Sequence, residues 1–340
     1  MEKILTSSIL GQHKSFLDTP ALSIDIQKLK KNINTMAKHG QNHHVNIRPH
    51  CKTHKCSKIA LLQQEAGAIG ISAAKLSEAE VLIEKGVKSI LLTSPVVSSN
   101  KFSRLLRCLK KAQELILVID NIENAKMLSQ LAIANGLQIN VLVDIDGGIN
   151  RTGIKLDDAL EFSIFLNDLS GLKLRGIQCY AGHLQHIKNY QEREEKSLKV
   201  MSKAAEIRQS LLDANLDASI FTGSGTGTYD IDIKAGVTEI QPGSYVVMDV
   251  EYSKIGSKLN KSSFEDFEHA MLLTTSVLSA NHMSHVTVDA GTKSIYYDVE
   301  NFPKVIKNSN WNYNWSGFGD EHGKISSIDN TLPQLGEHID

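Results

Sequence analysis

Short apolar and β-branched runs alternate with longer stretches of helical periodicity along most of the chain. In the helical stretch 121–136 the apolar residues fall on one face, and Gly136 follows as a stop signal. Such alternation predicts parallel strands joined by helices. The last connection, 224–237, holds no good helical pattern. The strand-like runs number eight: 44–50, 68–74, 89–95, 115–120, 139–145, 172–180, 219–223 and 238–245.

Eight strands with helical crossovers predict a (β/α)8 TIM-type barrel, because eight is the number at which such a sheet closes. A doubly wound open sheet is the alternative. We assign the barrel to residues 18–255. After that point the α/β alternation stops, so residues 256–340 predict a second, C-terminal β domain. An N-terminal strand within about 1–26 is expected to join it, before a helix at 27–39. Its further strand-like segments are 270–280, 285–297 and 317–328.

Composition and charge exclude several classes of protein. The 340 residues are 41% hydrophobic and 22% charged, and 37 basic and 38 acidic residues give a net charge of -1. A nearly neutral chain has no overall field for nucleic acid or an anionic membrane. No apolar run approaches the ~20 residues of a membrane-spanning helix. The 4 cysteines, without an export signal, predict reduced thiols and a cytoplasmic protein.

In a barrel of this type the reactive groups follow the carboxyl ends of the strands. Polar, glycine-rich segments stand there after five predicted strands. Lys52 follows the first strand and is interpreted either as a solvated surface lysine or as an imine-forming amine, which must lose its proton to react. The run 223–228 is read as a flexible turn or as an anion-binding nest. The five segments are 50–54, 146–153, 180–183, 222–229 and 241–245.

Five motifs occur in order along the predicted barrel: RPHCKTHK, INRTG, QCYAGHLQH, TGSGTGTY and VTEIQPGSY. This series, from about Thr19 to about Asp249, resembles the D-threonine aldolase and D-serine dehydratase group. These are fold-type III pyridoxal 5′-phosphate enzymes related to alanine racemase. The resemblance implies that Lys52 holds the cofactor as a Schiff base and that Arg151 approaches the pyridine nitrogen. The other cofactor-binding residues that it implies are Tyr180, Ser224, Gly225, Thr226, Gly243, Ser244 and Tyr245.

The resemblance implies a lyase that cleaves D-3-hydroxyamino acids to glycine and an aldehyde, as D-threonine aldolase does. A D-serine or D-hydroxyaspartate dehydratase is the alternative, followed by an amino-acid racemase and a non-catalytic pyridoxal-phosphate-binding protein. His183 is the candidate acid/base, with a packing role as its alternative. The expected partners are a small D-amino acid substrate and a second subunit in a homodimer.

A divalent metal, Mn, Mg or Zn, is a further expectation from the resemblance. Members of the group bind it through a His-x-Asp or His-x-Cys pair. We expect that pair beyond the chain end, so that the β domain is incomplete. His338 and Asp340 are the alternative ligands within this sequence.

Overall fold

Eight parallel strands form the larger sheet in a computed structural model, which describes residues 9–296, 300–314 and 319–340. The strands follow the chain order except at the end, where the last strand pairs with the first. All eight predicted strands are confirmed. They are β2 Asn46–Ile47, β3 Ile71–Ala73, β4 Ser89–Leu92, β5 Glu114–Ile119, β6 Ile139–Asp146, β7 Leu172–Tyr180, β8 Ile220–Gly223 and β9 Glu239–Ile240, in the sheet order β2-β9-β8-β7-β6-β5-β4-β3.

The sheet closes on itself between β2 and β3. The amide of Ile69 donates to the carbonyl of Ile47 at 3.0 Å, and the amide of Ser72 donates to Pro49 at 2.8 Å. A parallel bridge between His50 and Ser72 completes the contact. The predicted barrel is therefore confirmed over the open sheet, which would leave these two strands as edges.

Helices connect the strands where the periodicity predicts them. The helix after β5 begins at Asn121, whose side chain accepts the amides of Glu123 and Asn124, and Gly136 follows its end with φ 64°. The segment 224–237 contains only short 3-10 turns, as its pattern indicated. The helices are α1 Ile26–His43, α2 Ser57–Glu65, α3 Leu76–Glu84, α4 Phe102–Lys111, α5 Ile122–Ala134, α6 Ala159–Asn167 and α7 Tyr190–Asp213.

The chain divides into two compact units. The barrel unit contains Lys30–Val246 and Lys254–Glu268, and the β unit contains the described residues through Leu29, Val247–Ser253 and His269–Asp340. The domain boundary between 255 and 256 stays a prediction. None of the helices in the described ranges is long and apolar enough to span a bilayer.

The β unit is an antiparallel sheet with the order β1-β10-β11-β13-β12, and β14 pairs with β10. Its core is a cluster of apolar side chains that includes Val286, Trp311 and Ile325. Parts of the predicted strand segments, 1–8, 297 and 317–318, lie outside the described residues. The strands are β1 Ala21–Ile24, β10 Met271–Ser279, β11 His285–Val288, β12 Trp311–Asn314, β13 Gly323–Ser327 and β14 His338–Ile339.

A buried ion pair joins three strands of the barrel. Arg48 follows β2, and its guanidinium donates to both carboxylate oxygens of Glu239 in β9, at 2.8 and 3.1 Å. Its third contact is the Ser89 hydroxyl at the start of β4, at 2.7 Å. Both charged side chains are only 3% exposed. Because neither charge reaches water, each depends on the other for solvation.

We predict that Glu239→Ala lowers the free energy of unfolding by about 3–5 kcal/mol, because it leaves the Arg48 charge buried without a partner. Replacing both members, as Arg48→Met with Glu239→Leu, should restore part of this loss. Urea unfolding measures both effects. Lys126→Ala is the control, since it breaks an exposed pair with Glu123 that contributes less than about 1 kcal/mol. Equal losses in Glu239→Ala and Lys126→Ala would contradict the assignment.

Candidate active site

Lys52, Arg151 and Tyr180 meet at the carboxyl-terminal mouth of the barrel. Lys52 lies in a 3-10 turn, Cys51–Thr53, that follows β2, and Tyr180 is the last residue of β7. The Lys52 ammonium lies 5.2 Å from the centre of the Tyr180 ring, and the Arg151 guanidinium carbon lies 5.7 Å from the same centre. The two cations therefore share one aromatic ring, which an electron-rich ring face favours.

The surroundings of Lys52 make its amine easier to deprotonate. Its side chain reaches solvent at the mouth, but the barrel wall surrounds much of it. Loss of hydration, followed by the positive charge of Arg151, lowers the pKa of Lys52 below its usual 10.5. Burial raises the pKa of Tyr180, and Arg151 opposes that rise. The site thus combines a reactive amine with a neutral phenol at neutral pH.

His50 is a site residue that we did not predict. Its ring is buried, and burial, followed by the charge of Lys52, lowers its pKa to about 3. The neutral ring has one acceptor nitrogen, Nδ1, which takes the Lys52 amide at 3.2 Å. Its Nε2 therefore carries the proton and donates to the Thr93 hydroxyl at 3.0 Å. The proline-flanked motif gave no sign that this histidine is buried.

The segment 147–153 carries Arg151 and is held by aspartates from neighbouring strands. Asp146 Oδ1 accepts the amides of Gly148 and Asn150, at 2.9 and 3.1 Å. Asp120, after β5, accepts the amide of Gly153 at 3.0 Å. Among the described residues, none accepts a hydrogen bond from the Arg151 guanidinium. Arg151 is exposed, so its donors are accessible to a bound molecule.

The glycine-rich run after β8 forms a tight buried turn. Ser224 adopts φ 68°, and Thr226–Thr228 form a 3-10 turn. A Cβ on Gly225 would stand 2.5 Å from the side-chain oxygen of Gln185, and one on Gly227 would stand 2.1 Å from the Gln185 carbonyl oxygen. Gly227 therefore requires glycine, because the backbone of Gln185 blocks a Cβ there, and a Cβ on Gly225 would have to displace the Gln185 side chain. The run is thus more constrained than a flexible turn.

A buried acid supports this turn from below. Asp232 accepts the hydroxyls of Thr228 and Ser197, each at 2.6 Å. Burial raises the pKa of Asp232 to about 6, although these hydroxyls oppose the rise. The same Thr228 oxygen accepts the side-chain amide of Gln185 at 3.0 Å. The spacing of the motif did not indicate either Asp232 or Gln185 as supports.

The predicted residues after β9 meet the mouth through their backbone. A Cβ on Gly243 would stand 2.7 Å from the Thr53 hydroxyl, so this turn lies against the segment of Lys52. Ser244 begins a 3-10 turn, and the amide of Tyr245 donates to the Thr226 hydroxyl at 3.0 Å. The Tyr245 ring lies in the core, where its hydroxyl accepts the side-chain amide of Gln63. Tyr245 thus contributes its amide to the site.

His183 lies on the exposed side of the mouth, next to the segment of Arg151. A Cβ on Gly148 would stand 3.6 Å from Cε1 and 3.8 Å from Nε2 of His183. The ring follows Tyr180 by one short turn, Gly182–Leu184. This position places a titratable ring at the rim, where a bound molecule can reach it.

His338 and Asp340 belong to the β unit. Asp340 accepts the Thr274 hydroxyl at 2.7 Å and pairs with Lys14. Across the described ranges, no group of three or more His, Cys, Asp or Glu side chains is placed to hold a metal ion. The metal pair therefore stays a prediction.

Comparisons with known proteins agree with this geometry. Residues 24–250 match the alanine racemase N-terminal domain family, and residues 270–340 match a serine dehydratase domain family. The D-threonine aldolase of Arthrobacter sp is 34% identical over 93% of this chain and 82% of its own length. The 3-hydroxy-D-aspartate aldolase of Paracoccus denitrificans (strain Pd 1222) is 30% identical over 95% of this chain and 84% of its own. The crystal structure of D-threonine aldolase from Filomicrobium marinum superposes with a TM-score of 0.89, at 33% identity over 96% of this chain and 86% of that one.

We predict that Lys52 reacts with trinitrobenzenesulfonate at lower pH than Lys55, because only the neutral amine reacts. The pKa of Lys52 is lowered by burial and Arg151, whereas Glu78 raises the pKa of Lys55. Each unit of pKa changes the neutral fraction about tenfold. Peptide mass spectrometry across a pH series, after hydroxylamine removes bound aldehydes, measures both lysines in one sample. Arg151→Gln should move the Lys52 profile to higher pH. Identical profiles for the two lysines would refute the prediction.

Proposed function

The chain belongs to the alanine racemase N-terminal domain family, and we propose that it is a pyridoxal-phosphate-dependent lyase that acts on D-3-hydroxyamino acids. The observation that carries the proposal is the amine of Lys52, with its lowered pKa, beside Tyr180 and Arg151 at a barrel mouth. An amine that is neutral at working pH is what a carbonyl compound needs for imine formation.

The residues present fit the three parts of pyridoxal phosphate. Lys52 supplies the amine for the aldehyde, and Tyr180 supplies an aromatic wall for the ring. The turn at 224–226 supplies the hydroxyls of Ser224 and Thr226, which suit a phosphate. Ser244 and its neighbours lie on the same side, because Tyr245 is bonded to Thr226.

When bound, pyridoxal phosphate withdraws electrons from Cα of an amino acid joined to its aldehyde. The Lys52 amine would then hold or return a proton close to Cα. Arg151 cannot give up a proton at neutral pH. At the pyridine nitrogen, where the resemblance places it, the Arg151 guanidinium would leave that nitrogen unprotonated. Both cations lie close to the centre of the Tyr180 ring, at 5.2 and 5.7 Å, so this ring is a wall common to both.

Aldol cleavage is the favoured reaction. The two aldolase relatives each match more than nine tenths of this chain, and their names specify substrates with a D-configured Cα and a β-hydroxyl. A dehydratase is the second candidate, because residues 270–340 match the serine dehydratase domain family. Both reactions start from the same kind of substrate, so one set of assays separates them.

We further propose a cytoplasmic homodimer that works with a divalent metal. The composition and the resemblance support these three statements. Metal ions stabilise negative charge that develops on oxygen, which is the demand that a β-hydroxyl makes during cleavage. Assays with and without a chelator measure this dependence, and ultracentrifugation measures the subunit number.

We predict that the purified protein converts D-threonine or D-3-hydroxyaspartate to glycine and an aldehyde, and that Lys52→Ala abolishes both turnover and covalent cofactor. Borohydride reduction followed by peptide mapping should label Lys52. Lys55→Ala is the matched control in the same segment and should remain active. Labelling of another lysine would overturn the assignment of Lys52. If the products were ammonia and a keto acid and not glycine, the protein would be a dehydratase and not an aldolase.

We predict that His183→Asn lowers kcat by about 10²–10⁴-fold with little change in KM, because a rim histidine that moves a proton acts on the rate and not on affinity. The pH profile of kcat should lose one limb. His282→Asn, an exposed histidine of the β unit, is the control. A wild-type rate for His183→Asn would leave His183 with a packing role alone.

A further inference from the structure

A continuous path of hydrogen bonds runs beneath the mouth from Lys52 towards Arg151. On the Lys52 side, the Lys52 amide donates to His50, and His50 Nε2 donates to the Thr93 hydroxyl. The backbone carbonyl of Thr93 accepts the side-chain amide of Gln178, at 3.4 Å. Gln178 lies in β7, so the path crosses from the strand before Lys52 to the strand that ends in Tyr180.

On the Arg151 side, Asp144 in β6 receives the path. The same Gln178 amide donates to Asp144 Oδ1 at 2.8 Å, and the Thr152 hydroxyl donates to Asp144 Oδ2 at 2.9 Å. Each carboxylate oxygen therefore has one donor from a different element. Thr152 is the residue directly after Arg151, so the bond of Thr152 to Asp144 fixes the position of the Arg151 backbone.

The direction of every bond in the path is determined. A carboxylate only accepts, so Gln178 must present its NH2 group to Asp144. Its oxygen then accepts the side-chain amide of Gln241 at 3.2 Å, which also donates to the Thr222 hydroxyl at 2.9 Å. Asp144 and Gln178 are each only 3% exposed. A buried group that lost its partner would bear the full cost of desolvation, so these bonds resist displacement.

We propose that Asp144 is a positioning residue, which holds the Arg151 segment through Thr152 and couples it to the Lys52 segment through Gln178, Thr93 and His50. The proposal rests on the proposed function only for the roles of Lys52 and Arg151.

The charges at the mouth explain why this position matters. Lys52 and Arg151 both lie beside Tyr180, and burial, followed by the charge of each, lowers the pKa of the neutral His50 ring. Asp144 is the acid that interacts with Arg151, and Asp120 is the next acid. Burial raises the pKa of Asp144 to about 6, and the bonds from Gln178 and Thr152 and then the charge of Arg151 oppose that rise, without a bond to the guanidinium. Asp144 can therefore hold the Arg151 segment while the guanidinium donors stay available at the mouth.

The test is hydrogen–deuterium exchange of the full chain, as purified, in three variants. Thr152→Val keeps the shape and removes the donor to Asp144, whereas Thr152→Ser keeps the donor. Ser163→Ala is the matched control, because it removes a buried hydroxyl bond to Ala159 in helix α6. We expect amides of 147–153 to exchange about tenfold faster in Thr152→Val. We expect a smaller increase at 50–54, and wild-type exchange in both segments of the other two variants.

Turnover gives a second measurement. Thr152→Val should lower kcat about 10²-fold with little change in KM, because a small displacement of Arg151 impairs the reaction more than binding. Thr152→Ser should restore the rate. Asp144→Asn, which keeps the volume and removes the charge, is a fourth variant for the exchange experiment. Its amides of 147–153 should exchange faster than those of the wild type, and this result decides the proposal if Thr152→Val fails to fold.

Wild-type exchange at 147–153 in both Thr152→Val and Asp144→Asn would overturn the proposal. The proposal would also be overturned if Ser163→Ala raised exchange at 147–153 and lowered kcat as much as Thr152→Val does. If no variant and no wild-type protein turns over D-3-hydroxyamino acids, the proposed function fails, but the exchange data still decide the role of Asp144.

Discussion

Closure of the eight-stranded parallel sheet is the constraint on which the site depends. All carboxyl ends of the strands meet at one rim, so residues that are far apart in sequence, such as Lys52 and Arg151, meet at one ring. Closure also buries polar groups inside the barrel. Arg48 is neutralised by Glu239 in the adjacent strand β9, and its bond to Ser89 in β4 reaches across the point of closure, which an open sheet would leave apart. If the sheet opened, the catalytic candidates would therefore move apart, although none of these residues would itself have changed.

The electrostatics of the mouth follow from the same enclosure. Two cations stand close together around Tyr180, and the barrel wall limits how well water can screen them. Burial first, and then the charge of Arg151, lowers the pKa of Lys52. His50 stays neutral for the same reason, and its neutral ring has a fixed tautomer. An enzyme that needs one free amine beside one permanent cation gains both from this arrangement.

The order of strands and helices could be predicted because apolar periodicity records which face of each element is buried. The ends of some strands could not. The predicted strands 44–50 and 238–245 are regular strand only over two residues each, although the amides of Arg48 and His50 continue the pairing by donating to the carbonyls of Ile240 and Pro242. In the β unit, strand β12 was missed. Its four residues, Trp311–Asn314, contain two asparagines and no β-branched residue, so their strand form depends on distant pairing.

The residues of the candidate site at the barrel rim could be predicted from the sequence. The residues inside the strands that support the rim were harder to predict. Lys52, Arg151 and Tyr180 lie at or just after strand ends, where the fold class alone predicts reactive groups. Asp144 and Gln178 stand inside strands whose neighbours are apolar, and a single polar residue there signals burial without naming its partner.

Only the closed sheet shows that Asp144 and Gln178 are neighbours, because β6 and β7 are adjacent and in register at these two positions. That register gives the acid a task that a direct ion pair could not perform. A carboxylate bonded to the Arg151 guanidinium would consume the donors that a ligand needs. By bonding to Thr152 instead, Asp144 holds the backbone that carries the cation and leaves the cation itself available. In the barrel, one group therefore holds the Arg151 backbone in place while the guanidinium stays available to a ligand.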